Sequence, residues 1–500
     1  MTELFHGTWW ERNRRKSFEE LGPGRFTQLL PHEETAHSDG HDLELLANAM
    51  TSHQEKPPPT PEDKHDPEED SEITAAYTYL GQFVDHDLTF DPISHLREVL
   101  SPAQLRALVD FRTPRFDLDS LYGRGPDDQP YLYEDNGIRM LLGERMTSQP
   151  FDPDPRQLPR GPNGRALIGD PRNDENRIVA QLHAIFLRFH NEVVRQRGGT
   201  NNVSFEEVRN QVRWHYQWVL VNDFLPTILD KQTYKSVFPD AFRYVTTIPR
   251  LRENDLELMP VEFSVAAYRF GHSMIRPRYQ LSPAITDPIP IFSDKTADLR
   301  GFRPIPPGWA IDWQFFIDLG HDAGRMPQLS YKIDTSLVHP LGNLPRQIVR
   351  DGPPNLALRD LQRGLTFQLP SGQQVARALG MEPLDDKELM IGKATAEGRQ
   401  RRITKIADSF AGNAPLWAYI LSEAQVMSWK NAGFAADDDT PIKLGPVGGR
   451  LVAEVFASLL RGDQTSYLYA EPTFTPIQAF APNKTFGLAE LINAALGRIR

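Results

Sequence analysis

The chain has 500 residues and no cysteine. That excludes disulfides, cysteine-bound zinc, thiolate-ligated haem and iron–sulfur clusters. Long hydrophobic runs are also missing: no stretch approaches the roughly 18 apolar residues of a membrane span. The opening MTELFHGTWWERNRRKSF lacks the apolar segment of a secretory signal. Positive charge is not in excess either. The formal net charge is −12, whereas a general nucleic-acid binder would be basic. The expectation is an acidic, soluble, cytoplasmic protein, with non-classical export as the alternative. It should have no transmembrane segment and no nucleic-acid partner.

What is present is enough for a core: 39% hydrophobic residues and 10% aromatics. Residues 52–70, SHQEKPPPTPEDKHDPEED, are rich in proline and acid and read as an exposed loop. Helical periodicity follows over 72–90 and 99–110. It returns over 172–197, 206–234 and 260–275, and near 312–319, 355–363, 414–431 and 446–461. The stretches 125–165 and 278–312 are broken by Pro, Gly and Asp and read as irregular. The pattern predicts a mostly α protein with long loops. An N-terminal extension is expected over 1–70 and one large domain over 71–500.

Four clusters could carry chemistry. In GQFVDHDLTF (81–90), Gln82, Asp85 and His86 stand at i, i+3 and i+4, on one helical face. An acid and an imidazole among Phe83, Val84, Leu88 and Phe90 either satisfy each other or act on a small substrate as acid and base. Arg172-Asn-Asp-Glu175 opens the strongest helical pattern. It is either a surface ion pair with acids in the first turn, or a fixed cation beside a reactive oxygen. In Tyr268-Arg-Phe-Gly-His272, Gly271 interrupts a helix at a cost of about 1 kcal/mol relative to Ala. It marks a helix-packing glycine or a place where something bulky meets the backbone. His272 would then be a metal ligand, and Arg269 would serve an anionic group. Finally, Thr113, Asp117 and Asp119 offer oxygen ligands suited to a loop around Ca²⁺, though no EF-hand is present; otherwise they form an Asp-rich turn.

Taken together and in order, the clusters resemble the animal-type haem peroxidases of the peroxidase–cyclooxygenase superfamily, in particular bacterial members without disulfides. The likeness runs from about residue 72 to at least 460, and LWAYILSEAQ (416–425) and GPVGGRLVAEV (445–455) contribute to it. The resemblance implies a single large, mostly α, myeloperoxidase-like domain that holds haem b and Ca²⁺. It would reduce hydrogen peroxide, oxidise small electron donors and serve the response to oxidative stress. His86 would be the distal base, Gln82 its water-binding partner and Arg172 the distal arginine. Asp85 and Glu175 would form esters to haem, and His272 would bind the iron. Arg269 and Arg363 would lie near haem propionates, and Asp360 would stand where the family has the asparagine partner of the proximal histidine. Asp87, Thr113, the Arg115 carbonyl, Asp117 and Asp119 would hold calcium.

Three departures shape the expected activity. Asn176 follows Glu175, where myeloperoxidase has the methionine of its sulfonium link, so that link should be missing. Arg269 occupies the place of the radical tyrosine of cyclooxygenases and fatty-acid dioxygenases, which favours peroxidase chemistry. Asp360 in place of asparagine should strengthen the proximal histidine as a donor. Chloride should therefore be a poor substrate, with iodide, thiocyanate, bromide or phenolic donors preferred. Two rivals stand beside this reading: a haem-dependent fatty-acid dioxygenase or peroxygenase, and a haem-free calcium-binding interaction module.

Overall fold

The computed structural model describes residues 24–30, 39–51, 66–90, 99–240, 242–252, 258–320, 326–349, 352–395, 400–433 and 440–498. Most of the expected loop over 52–70 lies outside them, and its described end is a short 3₁₀ turn, Pro67–Glu69. Helices dominate and the strands are few and short, forming one three-stranded sheet and three two-stranded ones among the described residues. No helix among the described residues is long and apolar enough to cross a membrane.

Strand β1 (Gly24–Thr27) pairs in parallel with Leu258–Pro260 and antiparallel with Val109–Asp110. The turn after it is pinned from inside: the backbone N–H groups of Leu29 and Leu30 donate to the buried Glu262 carboxylate at 2.9 and 3.1 Å. Helix α1 (Gly40–Thr51) then packs on Leu356–Thr366. The described parts of the stretch before residue 70 are thus built into the body that holds Glu262 and, ten residues on, His272.

The centre of the fold is a helix pair. Helix α2 (Ala75–Leu88) begins where strand Asp70–Thr74 ends, its first N–H groups taken by Gln328 and Phe316 carbonyls. It packs on α3 (Arg177–Gln196), whose residues are buried from Arg177 to Val194. Phe83 of α2 stacks on Phe186 of α3 with ring centroids 4.5 Å apart, and both meet the edge of Tyr216 from α4 (Phe205–Val219). Helix α5 (Leu356–Thr366) carries Asp360. Helices α6 (Leu416–Asn431) and α7 (Pro446–Gly462) close the core behind the His272 segment.

Several expected helices break up. The pattern over 172–197 is helical only from Arg177, because Pro171–Asp174 is a separate 3₁₀ turn and Asn176 caps α3 by accepting from Ile178 and Val179 N–H. The pattern over 260–275 becomes a π-helical turn, Glu262–Ala266, then a 3₁₀ stretch, Ala267–His272. Such irregular turns cluster at functional sites. The pattern over 206–234 is split by another π turn at Leu220–Phe224, and that near 312–319 shrinks to Trp313–Phe315.

Candidate functional site

The segment between Asp170 and Asn176 has a tether at nearly every residue. Asp170 caps it by accepting from Arg172 N–H at 2.8 Å, and its carboxylate binds both Arg112 and Arg172. Burial opposes that carboxylate's ionisation, but the Arg172 and Arg112 guanidinium groups overcome it and lower its pKa to about 2. Asp174 forms two bonds to Arg160, at 2.6 and 2.7 Å. From outside, the loop 299–302 zips onto the same backbone: Arg177 N–H donates to Leu299, Gly301 N–H to Glu175 and Phe302 N–H to Asp174. A side chain at position 301 would meet the Asp174 carbonyl at 1.7 Å, so glycine is required there.

That clamp places Glu175 and Asn173 on either side of His86. Imidazole Nε2 lies 3.3 Å from Glu175 Oε1, and Nδ1 lies 2.8 Å from Asn173 Oδ1. Gln82 bridges the same corner, donating to Glu175 and accepting from Asn176 Nδ2 at 2.8 Å. Burial would raise the Glu175 pKa, but the charge and hydrogen bond of His86, with help from Arg172 and Gln82, hold it below the usual range. The Glu175 side chain still keeps 36% of its surface accessible. Arg172 turns its guanidinium to Asp170, to the His86 carbonyl at 3.1 Å and over the Phe90 ring at 4.6 Å. Asp85 accepts from the Thr89 hydroxyl at 3.2 Å.

His272 lies on a segment packed against α2. Its Nδ1 is 2.6 Å from Asp360 Oδ2, and Arg269 Nη1 reaches the other oxygen at 3.4 Å. Asp360 is buried, whereas the His272 side chain keeps 26% of its surface, and Nε2 has no protein partner among the described residues. Beside it, a Cβ added at Gly271 would meet nothing within 4 Å. Arg363 is half-buried on α5, one turn beyond Asp360. A free imidazole nitrogen next to open space, backed by a carboxylate, is the donor chemistry that an iron porphyrin requires.

The oxygen-rich cluster also assembles. Carboxylate oxygens of Asp87, Asp117 and Asp119 lie within 4.8 Å of one another, and Asp119 Oδ1 is buried without a hydrogen bond. Thr113 donates to Asp117 at 2.8 Å, while Arg115 N–H donates to the Thr113 carbonyl at 2.7 Å and tightens the turn. Leu118 adopts a left-handed conformation between the two acids (φ 60°). Burial pushes Asp87 up to about 8, with Asp117 adding to the effect, and Asp117 and Asp119 are raised by burial as well. Three acids forced together would be relieved by a hard cation, and the all-oxygen set suits Ca²⁺.

Sequence reasoning passed over Asn173, His183, Asp170 and Arg112. Asp170 could have been noticed two residues before Arg172, at a capping position. Asn173 sits inside the quoted motif, but nothing local distinguishes an amide that reaches a histidine 87 residues away.

Residues 97–290 match the family model described as animal haem peroxidase. Peroxidasin homolog pxn-2 of Caenorhabditis elegans is 27% identical over 34% of this chain and 14% of its own length. Across the curated relatives, the matched stretch spans between 14% and 42% of each relative's length. Among solved structures, peroxidase A of Dictyostelium discoideum superposes with a TM-score of 0.61 at 16% identity, covering 95% of this chain and 94% of that one. The fatty acid alpha-dioxygenase of Oryza sativa gives 0.57 at 14% identity, covering 98% and 90%. The expected likeness to bacterial members is corrected by these findings: the relatives come from nematode, amoeba, mollusc and mammals, all eukaryotes. Short helical motifs shared across the whole superfamily do not separate its branches. The chain thus has a mostly α fold like that of peroxidase A, and its residues 97–290 are similar to the animal haem peroxidase family.

Proposed function

We propose that the chain is a haem peroxidase, reducing hydrogen peroxide and oxidising small donors such as halides, thiocyanate or phenols. The observation that carries this reading is the His272–Asp360 pair, 2.6 Å apart, with Nε2 directed away from its partner beside the open space at Gly271. Haem b would be held by His272, with Arg269 and Arg363 near its carboxylates and Asp85 and Glu175 as ester anchors. When bound, it supplies the redox centre that accepts oxidising equivalents from peroxide and passes them to donors.

The chain's own groups supply the proton chemistry. His86 takes a proton from peroxide at Nε2 and returns it to the departing oxygen, so that water leaves rather than hydroxide. Arg172, whose guanidinium is fixed by Asp170, offsets the negative charge that develops as the O–O bond breaks. A free Glu175 carboxylate 3.3 Å from Nε2 competes with peroxide for that nitrogen. As an ester, Glu175 would lose that charge and leave Nε2 available. Asn176 is occupied as the cap of α3, and no sulfonium link can form from an amide. With a carboxylate behind His272, poor chloride oxidation at neutral pH follows; chloride turnover matching myeloperoxidase would refute it. Calcium would sit among Asp87, Asp117 and Asp119, with Thr113 and the Arg115 carbonyl as further ligands.

The ester anchors are tested by acid–acetone extraction after peroxide treatment, where release of all the haem would contradict them. The likeness to fatty acid alpha-dioxygenases supports a second reading. It is disfavoured by Arg269 three residues before His272, and by Tyr268, whose ring is buried against Phe263 at 4.9 Å. Oxygen uptake with a polyunsaturated fatty acid, without added peroxide, separates the two. Cytoplasmic location is proposed from the acidic, cysteine-free composition alone.

A further inference from the structure

We infer that Asn173 is a positioning residue that keeps a proton on Nδ1 of His86, so that the nitrogen exchanging protons is always Nε2. The inference rests on the reading of His86 as the acid–base group.

Asn173 is fully buried, and its amide lies between two imidazoles. Oδ1 is 2.8 Å from His86 Nδ1, and Nδ2 is 3.0 Å from Nδ1 of His183. His183 is itself fully buried on α3, with its ring edge against Phe83 at 5.9 Å. An amide has one accepting and one donating end, so its orientation dictates the proton on each ring. With Oδ1 toward His86, Nδ1 of His86 must donate. That bond holds whether the ring is neutral or protonated, because a protonated imidazole donates from both nitrogens. The reversed amide would offer N–H to His86 and would repel the ring as soon as it gained a proton. His183 completes this arrangement: burial lowers its pKa to about 3, and the neutral ring accepts from Asn173 Nδ2 in the tautomer with a bare Nδ1. Its remaining N–H then lies at Nε2, which has no hydrogen-bond partner. Asn173 is held in turn by the Arg160–Asp174 pair next to it and by its own N–H on the Asp170 carbonyl at 3.1 Å.

The surroundings of His86 make this control necessary. Glu175 at 3.3 Å pulls a proton toward Nε2, while the charges of Arg172 and Asp170 lie nearby. Without Asn173 the neutral ring would settle with its proton on Nε2, facing Glu175, and would present no lone pair to peroxide.

The test is nitrogen-15 NMR of the full chain labelled at histidine, at alkaline pH. The His86 signal is assigned by its loss in His86→Gln. The expected wild-type spectrum has a protonated Nδ1 and a bare Nε2. Asn173→Asp keeps the acceptor and should keep this pattern; Asn173→Ala should lose it and slow the reaction of the haem-loaded protein with peroxide about tenfold or more. A wild-type ring protonated at Nε2 alone would overturn the inference, even if Asn173→Ala fails to fold. An unchanged ring pattern in a folded Asn173→Ala variant would do the same. The ring signals are read on the haem-free chain, so this outcome is separate from failure of the peroxidase reading, which a missing Soret band after haem loading would report.

Discussion

His86 and His272 both bond through Nδ1, but to different partners: an amide for His86 and a carboxylate for His272. An amide holds a ring in place without adding charge, which suits a base that must release its proton. A carboxylate raises the ring's electron-donating power, which suits a ligand. Two outcomes follow. His86→Ala should slow the first reaction with peroxide at least about a hundredfold in stopped-flow traces, with the Soret band retained; an unchanged rate removes His86 from the chemistry. Asp360→Asn keeps the bond to His272 but removes the charge, so the haem reduction potential should move upward in a spectroelectrochemical titration. A potential unmoved by the change would contradict the role given to Asp360. At this scale, residues with unusual chemistry stood out in the sequence, His86, Arg172, Glu175 and Asp360 among them, and the structure brings His86 beside Glu175 and His272 beside Asp360. Asn173 did not, because a buried amide acts through partners that only the folded chain brings near.

Helices were legible as buried periodic runs, but their ends were not. The run over 172–197 has no gap in its apolar pattern before Arg177, yet Pro171 and the Asp170 cap make a separate turn of its start. The π and 3₁₀ turns before His272 reflect packing against α2, α6 and α7, which no local pattern encodes. The loop 299–302 was read only as irregular, although it clamps the Asp174–Arg177 backbone. Gly301→Ala should push that backbone away from its place, costing about 1–3 kcal/mol. Thermal unfolding and peroxide kinetics should both worsen; normal values for both would show that the clamp is dispensable. Helix α4 offers a pH test. His215 is buried, donates from Nδ1 to Gln211 and accepts Ile477 N–H at Nε2, and burial lowers its pKa to about 4. A depressed histidine pKa contributes stability above its unfolded value near 6.5, and this is lost as pH falls toward 4. Between pH 7 and 5 the loss is about 2 kcal/mol. His215→Gln lacks it, so its deficit against wild type in urea unfolding should shrink by that amount. An identical deficit at both pH values would contradict the neutral, buried state.

For the whole molecule, the long-range ties were the least legible part. Strand β1 and helix α1 fall in the stretch expected as an extension, yet they pair with Leu258–Pro260 and pack on α5, beside the segments bearing His272 and Asp360. The acid cluster ties α2 to the 113–119 loop, one residue beyond His86. Removing calcium with EGTA should lower the Tm by several degrees, as expected when a ligand bound only by the native state is withdrawn, and added Ca²⁺ should restore it. Indifference to both would leave the three acids without a cation. The central claim is that His272 binds the iron of a haem lodged in this fold. Titration of the full-length chain with haem b, followed by absorption, tests it most directly. One equivalent should produce a sharp Soret band that His272→Ala shifts and weakens. A wild-type chain that takes up no haem, or a His272→Ala spectrum identical to wild type, would contradict it.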